Sequence, residues 1–281
     1  MGRLIHPQLV ADFYDDGGQP TYSTRPVASS EFVAMDIAVL HTDKSTPSVA
    51  KATIHNLSAT SISAISQSKK CQLWGGYDGE LITMGIFDVV ETQTIYNRTS
   101  SDPGWQTVVG LGDGESPHGT AVTSKNYDSG SSIKSILSDI GASFGLVISQ
   151  VYDDITSDAP MTFDGTSAKI MDDICRQFGL QWSITDDVIQ VTNKDIPIQT
   201  SVPVLTDATG LLGIPVSTQD GLKVEALLFP ALRARHLVKV QSETADVDGF
   251  YRIKTVSFQG NNYSSGQSPK TRIEGVSYDD A

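Results

Sequence analysis

Apolar residues recur along this chain with two different periods, and the changes between them divide it into three stretches. From Val49 to about Gly110 the apolar positions fall in short runs separated by turn residues. Residues 52–57, 71–74, 81–90 and 105–109 read as strands, residues 75–79 as a glycine-rich turn, and Gly85 as a bend or bulge inside the long third run. Upstream, Pro7, Pro20, Pro26, Pro47 and the turn-like residues 15–18 interrupt the pattern, leaving residues 32–40 as an apolar run of strand length. Closely spaced strands with turns between them predict a barrel or sandwich.

Beyond Gly119 the period lengthens. Ile133, Ile136, Leu137, Ile140 and Phe144 lie at i, i+3, i+4, i+7 and i+11. That is one face of a helix over 131–144, with Ser131 or Ser132 as N-cap and Gly145 just past the end. The pattern returns over 166–178. Ile136, Asp139, Ile140, Phe144, Gly145 and Leu146 fall on Ile170, Asp173, Ile174, Phe178, Gly179 and Leu180, which indicates an internal duplication of a helix-plus-strand unit. The second copy runs into residues 181–192, a hairpin turning at Asp186 and Asp187. From Ser201 the strand pattern resumes at 223–229, 237–241, 250–258 and 270–275, with Asp248-Gly249 as a hairpin signal before the third. The outer stretches also echo one another, residues 52–57 matching 225–230 in position. The reading is α+β, mainly β, with a helical middle between two β-rich ends.

Composition narrows the function. The 281 residues are 39% hydrophobic and 19% charged, the make-up of a folded chain with room for two domains. Asp plus Glu outnumber Lys plus Arg by 33 to 20, a net charge of −13. With no basic run to offset it, this charge repels a phosphate backbone and argues against specific nucleic-acid binding, while an acidic wall lets a polyanion pass without sticking. No apolar stretch approaches the ~20 residues that span a bilayer, and the N-terminal residues lack the apolar core of a secretory signal. Cys71 and Cys175 are too few for a disulfide framework or a four-ligand metal site; their apolar neighbours predict buried free thiols, suited to assembly in a reducing cytoplasm.

Candidate chemistry is thin. None of the histidines (His6, His41, His55, His118, His236) is spaced for a shared metal. Asp113, Ser116 and His118 supply triad residue types, but within six positions and without a nucleophile elbow. Residues 110–115 are glycine-rich, yet Asp113 and Glu115 would repel phosphate, so a tight turn is the better reading. The acidic groups Asp12, Asp15, Asp16 and Asp153, Asp154, Asp158 lack calcium-loop spacing and read as solvated faces. No catalytic residue, cofactor site or metal site is expected, and the chain is not read as an enzyme.

Three ordered stretches carry a resemblance. The first is Ala-Thr-Ile-His-Asn-Leu from Ala52, Cys-Gln-Leu-Trp-Gly-Gly-Tyr from Cys71, Ile-Thr-Met-Gly-Ile-Phe from Ile82 and Gly-Leu-Gly-Asp-Gly-Glu from Gly110. The second is Phe-Asp-Gly-Thr-Ser from Phe163 with the following helix and Gln-Trp-Ser-Ile from Gln181. The third runs through residues 209–216, 221–230 and 249–258. Together, across residues 30–280, the set resembles the hub proteins of bacteriophage baseplates, related to the hub part of type VI secretion spikes. One departure is residues 259–266, where many relatives carry Gly-Asp and then Trp. The resemblance implies a first tube-type β-barrel domain with an extended N-terminal arm over 1–112, a middle region of two helix-plus-strand repeats over 113–200, and a second tube-type β-barrel domain over 201–281. It further implies a homotrimer in the virion's tail baseplate, assembled in the host cytoplasm. That trimer would close the tail tube, bind the tail tube protein, central spike protein, other baseplate subunits and the tape measure protein, and pass DNA only as cargo, with no membrane anchoring. Alternatives are a hexameric distal-tail or tube-end adaptor and a tail-associated peptidoglycan hydrolase.

Overall fold

The computed structural model describes residues 7–26, 32–77, 79–97, 104–198, 201–219, 221–243, 247–264 and 267–278. The first part contains β1 (Pro7–Tyr14), β2 (Pro20–Ser23), β3 (Met35–Thr42), β4 (Val49–His55), α1 (Ala59–Gln67), β5 (Lys70–Tyr77), β6 (Glu80–Asn97), β7 (Gly104–Gly112) and the short α2 (Glu115–Thr120). The middle contains β8 (Val122–Tyr127), α3 (Ile133–Gly141), β9 (Val147–Val151), β10 (Met161–Thr166), α4 (Ser167–Gln177), β11 (Leu180–Thr185) and β12 (Val188–Asn193). The last part contains β13 (Val204–Leu205), β14 (Leu211–Ser217), β15 (Gly221–Leu227), β16 (Leu237–Val240), β17 (Gly249–Asn261) and β18 (Lys270–Ser277). The chain is α+β and mainly β.

Local chemistry explains where the elements differ from the sequence reading. Pro7 and Pro20 open β1 and β2 instead of interrupting them, a first-residue position at which no ladder donor is lost. Residues 75–79 are not all turn: β5 continues through Tyr77, and a Cβ on Gly76 would lie 1.8 Å from the Glu80 carbonyl oxygen, so glycine there permits close backbone approach. The bulge expected near Gly85 is present. Leu73 faces Gly85 and Trp74 faces Thr83, leaving Met84 as the extra residue. Helix α1 buries only Ile65, so no apolar stripe announced it; Ser58 caps it by accepting the Ser61 N–H at 3.1 Å. Asp248-Gly249 opens β17, but an eight-residue loop separates it from β16.

The middle segment has its own core. Ile133, Ile136, Leu137, Ile140 and Phe144 meet Ile170, Met171, Ile174, Trp182, Ile189 and Val191 in a cluster built only from residues 121–191. Ser132 caps α3, and Gly145 and Gly179 follow the two helical segments at φ 69° and 65°, the left-handed stop that glycine adopts without strain. The duplication extends further than the helix-plus-strand unit. β8–α3–β9 and β10–α4–β11 are corresponding units; β8 pairs antiparallel with β10, while β9 and β11 flank β12 on opposite sides.

The outer parts are copies of one ladder. The strand order β3-β4-β7-β6-β5 recurs as β14-β15-β18-β17-β16, the same path through five consecutive strands. The match holds residue by residue. Val89 faces Leu111 as Ile253 faces Gly275, and each long strand bulges at the next residue, Val90 or Lys254. Val89 N–H donates to the Lys69 carbonyl and Ile253 N–H to the His236 carbonyl, at 2.9 and 2.8 Å. Buried Thr107 corresponds to buried Thr271. Ala52 faces Val109 as Val224 faces Ile273, so the sequence echo that set residues 52–57 on 225–230 is out by one residue. With a period of two, that slip would turn buried side chains outward. β3 also pairs with β17 from Thr42–Thr255 to Asp36–Asn261, fusing both copies into one 13-stranded sheet with a single connected core. Among the described residues no ladder closes either copy on itself. No helix of the described residues is long and apolar enough to cross a membrane.

Candidate assembly interface

Several of the polar residues that sequence reading singled out are held in structural bonds. Asp113 directly follows β7 and is fully buried. Its carboxylate accepts the N–H groups of Asp186 and Asp187 at 2.9 and 3.3 Å. Those two residues sit at φ 54° and 62°, a tight hairpin turn between β11 and β12. Burial raises the Asp113 pKa to about 7 against the pull of the two N–H donors, and the neighbouring Asp186 and Asp187 charges raise it too. The same turn is held from other sides: Asp186 accepts the Ile86 N–H at 3.1 Å and meets the Arg233 Nε at 3.3 Å. Lys70 Nζ lies 2.6 Å from Asp187 and 2.7 Å from Asp88. His118 stacks on Trp182 with ring centroids 5.9 Å apart, well placed for packing. The side chains of Glu115 and Ser116 lie outside the described residues, as does His6.

The second copy grips the same hairpin with arginines. Arg235 is 1% exposed and donates to the Ser183 hydroxyl at 3.0 Å and to the Thr192 hydroxyl; burial lowers its pKa to about 10. Arg252 bridges Asp43 at 3.1 Å and Asp195 at 3.0 Å. A groove of 790 Å³ opens beside this junction, but the Arg252 charge that lines it is already paired with Asp43 and Asp195.

Further candidates make local bonds of the same kind. Asp12 accepts the Ser23 hydroxyl and the Arg25 guanidinium, and Asp15 accepts the Gly17 and Gln19 N–H groups of its own turn. Asp154 sits at the start of α3, where the Ser132 hydroxyl and the Lys134 N–H lower its pKa. His55 donates to Asp36 at 2.7 Å. His41 is buried and donates from Nε2 to the Met84 carbonyl; burial lowers its pKa to about 4, which keeps it neutral. Cys71 and Cys175 are free and buried. Among the described residues no group of three His, Cys, Asp or Glu side chains is placed to hold a metal.

The exposed surface is more telling. On β6 and β7, Val90, Ile95, Tyr96 and Trp105 are exposed, and on β14 Ile214 and Val216 are 76% and 62% exposed. β14 is an end strand of the sheet path. Apolar side chains along open strand edges mark sites for joining other chains. Sequence reading missed these positions because a strand's place in the sheet, edge or interior, is not written in its own residues.

The fold has known counterparts. A 43 kDa tail protein of prophage MuSo2 from Shewanella oneidensis superposes with a TM-score of 0.66 at 11% identity, over 98% of each chain. A tail protein from Neisseria meningitidis MC58 gives 0.67 at 8% identity, over 98% of this chain and 97% of that one. A type VI secretion system component from E. coli, structurally similar to T4 bacteriophage tail proteins gp27 and gp5, gives 0.60 at 10% identity, over 91% of this chain and 77% of that one. No family model matches the sequence, and no curated protein does. The chain therefore has the fold of phage tail proteins along nearly its whole length, in agreement with the baseplate-hub resemblance read from its residues.

Proposed function

We propose that this chain is a structural hub subunit of a phage-type tail, a homotrimer seated where the tail tube meets the central spike. The observation that carries the reading is the duplicated ladder. Three chains with two copies each present six similar modules, so a three-fold assembly meets a six-fold tube on one side and a three-fold spike on the other. Each copy is read as a tube-type β-barrel domain, over 1–112 and 201–281, with the helical segment 113–200 as a separately packed middle. Partners are then further copies of itself, the tail tube protein, the central spike protein, other baseplate subunits and the tape measure protein. DNA passes through the acidic lumen as cargo, and the virion tail is its place of residence. No enzymatic role is assigned, since the polar groups best suited to chemistry are bound into the junction between the middle segment and the sheet. Electron microscopy of the purified chain at assembly concentrations tests the proposal. Rings of three chains showing six similar lobes are expected. Rings of six chains would favour a tube-end adaptor, and clearing in a peptidoglycan zymogram would favour a hydrolase; either result overturns the hub assignment.

A further inference from the structure

We propose that the groove between the middle segment and the second ladder binds a carboxylate-rich, extended segment of a partner subunit, held by Lys44, Lys194 and Lys254. The proposal goes beyond the ring reading and does not depend on it. The groove has a volume of 790 Å³, within the span of built binding sites, about 300–1,000 Å³. Its three lysines come from separate parts of the chain: Lys44 from the turn between β3 and β4, Lys194 from the residues after β12, and Lys254 from β17. All three are exposed, and among the described residues none of them forms an ion pair.

A buried arginine sets these lysines in place. Arg252, 4% exposed in the groove wall, reaches Asp43 from Nη1 at 3.1 Å and Asp195 from Nη2 at 3.0 Å. Lys44 follows Asp43 and Lys194 precedes Asp195, so each acid that Arg252 holds has a lysine beside it in sequence. Lys254 lies two residues beyond Arg252, and its carbonyl accepts the Asp43 N–H at 2.8 Å. The Lys194 N–H donates to the Gly179 carbonyl at 2.9 Å, and the Gln181 amide donates to the Asp43 carbonyl, which ties the three backbone segments together. The carboxylates in the lining are already engaged, Asp43 and Asp195 by Arg252 and Asp172 by the Trp182 indole N–H at 2.8 Å. Three like charges on one rim repel one another. An anionic guest relieves that repulsion.

The duplicated ladder shows that this charge is particular to the second copy. Arg252 corresponds to Asp88 and Lys254 to Val90, by the bulges that align the two ladders. In the first copy the acid Asp88 meets Lys70 at 2.7 Å, and the bulge residue is an exposed valine. A chain of net charge −13 therefore carries a basic rim on only one of two matching positions. The rest of the lining selects the guest. Leu180, Trp182 and Cys175 add apolar surface, while Asp43, Asp172 and Asp195 add acceptors. An extended acidic peptide meets every part: carboxylates for the lysines, apolar side chains for Leu180 and Trp182, and backbone N–H donors for the aspartates. A phosphate backbone would present only acceptors to those aspartates, and the net charge of the chain opposes its approach.

Fluorescence polarisation with a fluorescein-labelled decapeptide, in which Glu alternates with Leu and Ser, tests the groove on the full chain. Saturable binding that weakens with added salt is expected, and no binding by the same peptide with Gln in place of Glu. Lys44→Gln/Lys194→Gln/Lys254→Gln is expected to weaken binding about tenfold, the combined loss of three exposed charge contacts. Lys51→Gln/Lys69→Gln/Lys169→Gln removes the same charge from exposed positions outside the groove and is expected to leave binding unchanged. All six lysines are exposed, so both variants keep the fold. Absent binding, or equal loss in the two variants, overturns the proposal. Displacement of the peptide by an oligothymidylate of similar length would assign the groove to nucleic acid and overturn it too. So would a loss of the chain's own assembly in the groove variant alone, which would assign the groove to a second copy. The native mass of the unsubstituted chain, which tests the hub reading, is independent of each of these outcomes.

Discussion

The two ladders share strand order, bulge position and buried threonines, yet they treat one stretch differently. Beyond its bulge, β17 is covered by β3; beyond its bulge, β6 pairs with β7 alone among the described residues. Side chains follow the difference: Val256 and Phe258 on the covered strand are buried, while their counterparts Thr92 and Thr94 are short, polar and only partly buried. The duplicated module fills its seam once within the chain, and among the described residues β14 and the far half of β6 each pair on one side only. The ladders also hold the middle segment by different means. The first uses a carboxylate, Asp113, on the hairpin's N–H groups, and the second uses the buried Arg235 on its hydroxyls.

Twin prolines probe the open and covered edges most severely. Val256→Pro removes a donor from the β17–β3 joint and a buried side chain, a loss of more than about 3 kcal/mol that leaves the chain unfolded. Thr92→Pro at the equivalent open position is expected to yield folded chain by circular dichroism and to weaken ring formation. Equal damage at both sites would erase the distinction. Arg235→Met is expected next in size, about 2–3 kcal/mol in urea denaturation, because Ser183 and Thr192 lose their buried donor.

Asp113 gives a pH signature confined to the first ladder. Its folded pKa is raised, so its contribution to stability is full below the ordinary carboxylate range and is lost as pH rises toward about 7. Thermal midpoints of the native chain are expected to carry a decline across that window that Asp113→Asn lacks, whatever that variant costs overall. The smallest effect belongs to Glu225→Ala on β15. It breaks the pairs with Arg272 at 2.7 Å and Lys270 at 3.5 Å, exposed contacts worth less than about 1 kcal/mol.

The fold was largely legible in the sequence where periodicity and caps agreed. The faces of α3 and α4, their glycine stops and the Asp186-Asp187 turn all follow from residue spacing. α1 was hidden because it buries a single side chain, and β1 because Pro7 sits at a tolerated strand start. The ladder repeat was visible only as a faint echo, out by one residue. It is conserved in hydrogen-bond register, which many side chains satisfy equally. The open edges were illegible for the same reason, since exposure there depends on which strand lies alongside.

The central claim, two copies of one module per chain and three chains per ring, is tested most directly by the native mass of the purified chain. An assembled species of about 90 kDa, three times the 30.1 kDa chain, is predicted. A single chain persisting at high concentration, or a six-chain particle, would contradict it.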